Sequence, residues 1–159
     1  MEEIVLDSFT GFKKAGFMKY DYWIFVFTNY RILINIITSA MYSKAINANN
    51  VYINNLEDIS YITNRERFLD MKPEDILAEN PDNFIIEYNE INKIKYTKSK
   101  IISSKDKYES NYIIPPEITI EYGKKVYKST VGGVNNYLDF EDSFIDLIKN
   151  ILGDKFMIK

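Results

Sequence analysis

The hydrophobic positions of this chain mostly alternate or run together, and they take a clear helical period only at the end. Tyr22 to Phe27 is wholly aromatic or β-branched and Ile32 to Ile37 nearly so, which favours strands. Between them lies Thr28-Asn29-Tyr30-Arg31, a polar break without glycine or proline. Asparagine tolerates positive φ, so Asn29-Tyr30 serves as a two-residue hairpin loop. That loop fixes a register. Phe27 faces Ile32, Phe25 faces Ile34 and Trp23 faces Ile36, all on one face because strand side chains alternate. Val26 with Leu33, Ile24 with Asn35 and Tyr22 with Ile37 fall on the other. The first face is entirely large and apolar and should be core; the second is mixed and should be partly covered.

The same reading extends outward. Ile4 to Phe9 predicts a first strand, and Gly11 and Gly16 bracket a loop holding Lys13 and Lys14. Asn47 to Asn50 is a loop signal and Val51 to Ile53 a short strand. Glu57 to Leu69 fits neither period cleanly and is assigned to helix. Pro73 to Ala78 predicts a short helix, with proline at its first position and acids in its first turn. Asn80-Pro81-Asp82-Asn83 ends it. Strands are expected over Phe84–Tyr88 and Ile91–Tyr96. After Pro115-Pro116, Glu117–Tyr122 alternates strictly and Gly123-Lys124 turns it into Val126–Val131. Gly132-Gly133 and Asn135-Asn136 close that hairpin. Residues 140–152 form the clearest helix, with Asp139 as N-cap, Phe140, Phe144, Leu147, Ile148 and Ile151 at helical spacing, and Gly153 just past its end. Its apolar stripe is expected to pack on the half-covered sheet face.

Composition narrows the chemistry. The 159 residues make one ordinary domain, and no linker or repeat divides it. With 20 basic and 23 acidic residues the formal charge is -3, which argues against a nonspecific nucleic-acid binder. Cysteine and histidine are both absent. Disulfides, thiolate or imidazole metal sites, a cysteine nucleophile and a histidine base are therefore excluded. Any catalysis would fall to carboxylates, lysine or tyrosine. No cofactor or metal is expected. The N-terminal run lacks a basic segment and a long apolar core, so no signal peptide is expected, and the longest apolar stretch is too interrupted to span a bilayer. A cytoplasmic protein is the default expectation.

The acidic pairs Glu57-Asp58, Glu74-Asp75 and Glu141-Asp142 are assigned structural roles, two of them at helix N-termini. No calcium loop or phosphate loop is present. One charge feature stands out. Lys93, Lys95, Lys98, Lys100, Lys105 and Lys107 fall within residues 91–107 against a single acid, Asp106. Lys93 and Lys95 share a strand face. The run is either a solvated face or a site for an anion: a lipid headgroup, a phosphate or an acidic partner.

Three motifs carry a resemblance: Phe27-Thr28-Asn29-Tyr30-Arg31-Ile32-Leu33, Tyr88-Asn89-Glu90-Ile91-Asn92-Lys93-Ile94, and the terminal helix. Together they resemble the pleckstrin-homology-like superfold, especially its GRAM and bacterial PH-like branches, over about two thirds of the chain. The resemblance implies a mainly β (α+β) fold, a barrel or sandwich of two antiparallel sheets capped by the C-terminal helix. Residues 57–83 would be a partly helical insertion. It implies a noncatalytic binding or scaffolding module whose ligand is a protein partner or an anionic lipid headgroup. Headgroup-binding members place basic residues on the first two strands and their loop, and the matching positions are Lys13, Lys14 and Lys19. Two alternatives remain: a single-stranded nucleic-acid binder using residues 91–107 with Tyr96, Tyr108 and Tyr112, and a small carboxylate-dependent enzyme.

Overall fold

The computed structural model describes residues 1–17, 19–37, 65–103, 105, 111–132 and 137–159, with side chains omitted at 65, 66 and 137–140. The expected loop at Asn47 to Asn50 and strand at Val51 to Ile53 lie outside these residues. So do Glu57 to Asn64, the second half of the Gly132-Gly133 pair, Asn135-Asn136, Lys107 and Tyr108.

The fold is mainly β. Strands β1 (Val5–Gly16), β2 (Lys19–Thr28) and β3 (Arg31–Ile37) come first, then helices α1 (Arg65–Leu69) and α2 (Pro73–Ala78). Strand β4 (Phe84–Glu87) runs through a single 3-10 turn, Tyr88–Glu90, into β5 (Ile91–Thr97). Strands β6 (Lys100–Ile102), β7 (Tyr112–Ile114), β8 (Glu117–Tyr122) and β9 (Lys125–Gly132) follow. Helix α3 (Tyr137–Leu152), a 3-10 turn and β10 (Phe156–Ile158) end the chain. Eight strands form one sheet in the order β10-β5-β8-β9-β1-β2-β3-β4, and β6 and β7 pair separately. All pairings are antiparallel except β10 with β5. The large sheet is not closed: β4 lies at one end, and β5 has its outer edge taken by β10.

The β2–β3 hairpin has the register its sequence demands: Phe27 opposite Ile32, Phe25 opposite Ile34, Trp23 opposite Ile36. The polar break at its turn is a lock. The Thr28 hydroxyl accepts from the Tyr30 and Arg31 backbone amides at 3.1 and 3.0 Å. Asn29 exchanges backbone and side-chain hydrogen bonds with Ile4 and Glu2. Arg31 grips Glu3 with two bonds of 3.0 Å, a fork geometry suited to a carboxylate. That contact pushes the guanidinium pKa up. Residues before β1 are thereby tied across the turn.

The two sheet faces differ as the pattern requires. Phe25, Phe27, Ile32 and Ile34 join Ile94, Tyr96, Ile118 and Ile120 in one core, so the sheet curls until distant strands share an inner face. Helix α3 supplies Phe144, Ile145 and Ile148 to that core, and Phe144 sits edge-on to both Phe9 and Phe27. The helix therefore docks on the wholly apolar face, contrary to the expected mixed one. The mixed face, with Ile24, Val26 and Leu33, is covered instead by Phe68 and Ile76 of α1 and α2. The reason is Asn35, the one buried polar residue of β3. Its amide donates to Glu79 at 2.8 Å and accepts from Asn83 at 2.8 Å, tying the segment after α2 to that face. Residues 65–83 thus complete a second core.

Several boundaries differ from the sequence reading; β2 begins at Lys19 rather than Tyr22, and β6 and β7 were not expected. Strand β1 does not stop at Phe9 but continues through Gly11 to Gly16. Lys13 and Lys14 are strand residues and not loop residues. Helix α3 begins at Tyr137, so Asp139 lies inside it and is not its N-cap. Strand β10 follows the Gly153 turn (φ +54°), in a stretch to which the sequence reading assigns no element.

Candidate functional site

Two two-stranded ribbons project from the sheet, and they divide the candidate lysines between them. The first is the far end of the β1–β2 hairpin. Among the described residues, strand β9 pairs with β1 as far as Phe12 and β3 pairs with β2 as far as Tyr22, opposite Ile37, the last residue described in that stretch. Beyond those rows, Lys13 to Asp21 pair only with each other among the described residues. Lys13 lies opposite Asp21, Lys14 opposite Tyr20, and Gly16 opposite Lys19. Alternation puts Phe12, Lys14, Tyr20 and Tyr22 on one face, where the three rings lie 6.1–6.4 Å apart. Lys13, Lys14 and Lys19 are exposed, and Phe17 at the tip is 92% exposed.

The second ribbon is β6–β7, which pairs Lys100 with Ile114, Ile101 with Ile113 and Ile102 with Tyr112. It grows from the end of β5 and returns into β8. Its base is held by Glu141 of α3, a carboxylate only 3% exposed. Glu141 accepts from the Ser99 amide at 2.7 Å, the Ser99 hydroxyl at 3.0 Å and the Tyr96 hydroxyl at 3.1 Å. Lys98, Lys100 and Lys105 are exposed here.

The lysine run is therefore not one surface. Lys93 and Lys95 lie on the outer face of β5, beside Glu121 of β8. Lys95 bonds the Glu121 carboxylate directly, and that bond, helped by the charge of Lys93, pulls the carboxyl below the usual range. Lys128 faces Glu117 in the same layer at 3.8 Å. This is a solvated face of mixed charge, three lysines interleaved with two glutamates. Lys98 and Lys100 stand apart from it on the ribbon. Nor does the fold gather Lys13, Lys14 and Lys19 with them. Thr97, Glu117, Thr130 and Phe12 lie in one cross-strand row. From that row β5 leaves toward the second ribbon in the direction in which β1 runs back toward Val5. The two ribbons emerge at opposite ends of the strands.

Glu141 is spent on the ribbon base, and Tyr96 is buried beneath it, so Tyr96 offers no ring for base stacking. Burial pushes the Tyr88 and Tyr127 phenols above the ordinary tyrosine range, which keeps both protonated and unlike an activated base. An open cleft of about 460 Å³ lies between Phe84, Ile85 and Glu90 on one side and the β8–β9 turn, Tyr122 to Lys125, on the other. Among the described residues no group of three acids could hold a metal ion, and no helix is long and apolar enough to cross a membrane.

Sequence reasoning found the lysines but missed the apolar residues beside them: Phe17, Ile101, Tyr112, Ile113 and Ile114. The signal was present. Tyr112-Ile113-Ile114 is a continuous apolar run in so short a strand, and its residues must point to both faces. Likewise Phe17 and Met18 sit between lysines. No protein-family model, curated protein or solved structure matches this chain.

Proposed function

We propose that this chain is a noncatalytic binding module that docks on an anionic lipid surface through the β1–β2 ribbon. The observation that carries the reading is Phe17, 92% exposed at a tip flanked by the exposed Lys13, Lys14 and Lys19. A phenylalanine held in water gains nothing there, whereas burying it is worth roughly 1.5–3 kcal/mol. Each lysine near an anionic leaflet adds about 1 kcal/mol. Tyr20, just behind the tip, is the residue type that settles at the headgroup level. The resemblance to PH-like domains, which places headgroup contacts on the first two strands, supports the same end of the molecule. The opposite outward charge layer, Lys93 and Lys95 against Glu121, is assigned no role in binding.

The test is cosedimentation with phosphatidylcholine vesicles containing phosphatidylserine. Wild type should bind and release as salt rises, because screening shortens to about 8 Å at physiological ionic strength. Phe17→Ser should weaken binding about tenfold, the effect of roughly 1.4 kcal/mol. Replacing Lys13, Lys14 and Lys19 with Gln should abolish it. Equal binding by wild type and these variants, or no binding by wild type at low salt, defeats the reading.

A further inference from the structure

The β6–β7 ribbon is apolar on both faces. Ile101 and Ile113 occupy one face; Ile102, Tyr112 and Ile114 occupy the other beside Lys100. Tyr112 is 59% and Ile113 51% exposed, and Ile101 and Ile114 are similarly open. A ribbon of three residue pairs is marginal by itself in water, where two-stranded structures need a third strand or a packed face. Among the described residues no further strand pairs with it, and none supplies a ladder partner to the outer edges of β6 and β7.

Those edges decide what covers it. Sinking the ribbon into lipid would strand the edge N–H and C=O groups where no water reaches them. Another strand satisfies them by pairing. Charge then selects the strand. By sequence the ribbon and its approach, residues 98–114, carry Lys98, Lys100, Lys105 and Lys107 against Asp106 and Glu109, an excess of two positive charges. A second copy of the chain would bring the same excess and leave both uncompensated.

We infer that the β6–β7 ribbon docks an extended acidic segment of a protein partner, which adds as a third strand along the outer edge of β6. A strand in that place alternates its side chains between the two faces. Apolar residues would meet Ile101 on one face, and acids would meet Lys98 and Lys100 near the other. The partner segment is thus one of alternating apolar and acidic residues. Because this site and the β1–β2 tip lie at opposite ends of the strands, the inference is independent of lipid docking, and the chain would hold a membrane and a protein together.

A displayed library of random peptides, selected on the full chain, tests this. Enriched sequences should alternate Asp or Glu with β-branched or aromatic residues and should bind Phe17→Ser as tightly as wild type. N-methylation of alternate backbone amides in a selected peptide should weaken it at least about tenfold. The double charge reversal Lys98→Glu with Lys100→Glu should lose the acidic peptides and select basic ones. Ile101→Ser with Ile113→Ser should lose both, while amide exchange in β1–β5 stays unchanged as a check on folding. Several results overturn the inference: selection of peptides indifferent to the charge reversal, an N-methylated peptide that binds as well as its parent, no ribbon-dependent peptide at all, ribbon-dependent self-association in sedimentation, or binding to phosphatidylserine vesicles that Ile113→Ser removes.

Discussion

Gly11 illustrates how a residue can be read correctly as special and wrongly as a turn. Its sequence setting suggests freedom to bend, yet it lies within a continuous strand opposite Trp23. What matters is the missing side chain. A Cβ at this position would stand 2.4 Å from both Ser129 Oγ and Trp23 Nε1 and 2.6 Å from the Phe25 ring. Gly11→Ala should therefore destabilise the protein by about 1–3 kcal/mol through overpacking. Gly16→Ala, where the nearest atom is 4.0 Å away, should change stability by no more than about 0.5 kcal/mol. Urea denaturation of the two variants compares them, and equal midpoints would refute the packing argument. Other single residues were legible because their chemistry admits few uses. Gly123 adopts positive φ (+52°) at the turn that its sequence marks. Arg31 could reach only water or a carboxylate and found Glu3. Asn35, polar among apolar neighbours, marked the mixed face, but its partners lie more than forty positions away and no local pattern names them.

Among elements, some with a clean period were legible to the residue. Strand β8 and helix α2 have the bounds their sequences indicate, and the β2–β3 register holds throughout. Elements that depend on distant partners were not. Strand β10 has three residues and exists because β5 offers it an edge, with Lys159 donating to the Tyr96 carbonyl at 2.9 Å. The docking face of α3 was equally hidden, since a helical stripe states that it must be buried but not against what. The acids of α3 carry a further element-scale consequence. Glu141 reads as a first-turn charge complementing the helix dipole, but it joins α3 to the base of the β6–β7 ribbon. Glu141→Ala leaves the Ser99 amide and the Tyr96 hydroxyl without their acceptor and should cost about 1–3 kcal/mol. The loss should be local as well as global: amide exchange at Ser99 and along β6 should quicken before the rest of the sheet responds. Uniform loosening of all strands would show that Glu141 serves the core alone.

For the whole molecule, composition and pattern conveyed a mainly β fold with a terminal helix. They could not show how its surfaces are distributed, because the five described lysines of one sequence run are parted by a change of strand face and by a ribbon. The same is true of the apolar ribbon residues, whose exposure is a property of how far each ladder extends. Long-range pairing has one more consequence, for how the chain folds. The sheet becomes continuous only where Thr10 to Phe12 meet Thr130 to Gly132, the two ends of the strand succession. The β1–β4 meander can assemble early, but its inner face stays open until β9 arrives. Chains dominated by such remote contacts fold slowly, on the order of milliseconds to seconds. Trp23 reports that step, because its ring rests 5.0 Å from Tyr127 of β9. In stopped-flow refolding, the full blue shift of Trp23 emission should arrive with the last phase, and Tyr127→Leu should dull that phase. A blue shift completed in the first phase would mean that the meander buries Trp23 unaided. Until β9 docks, the apolar face is available to neighbouring chains, so the yield of folded protein is set by a race between closure within one chain and contact between two.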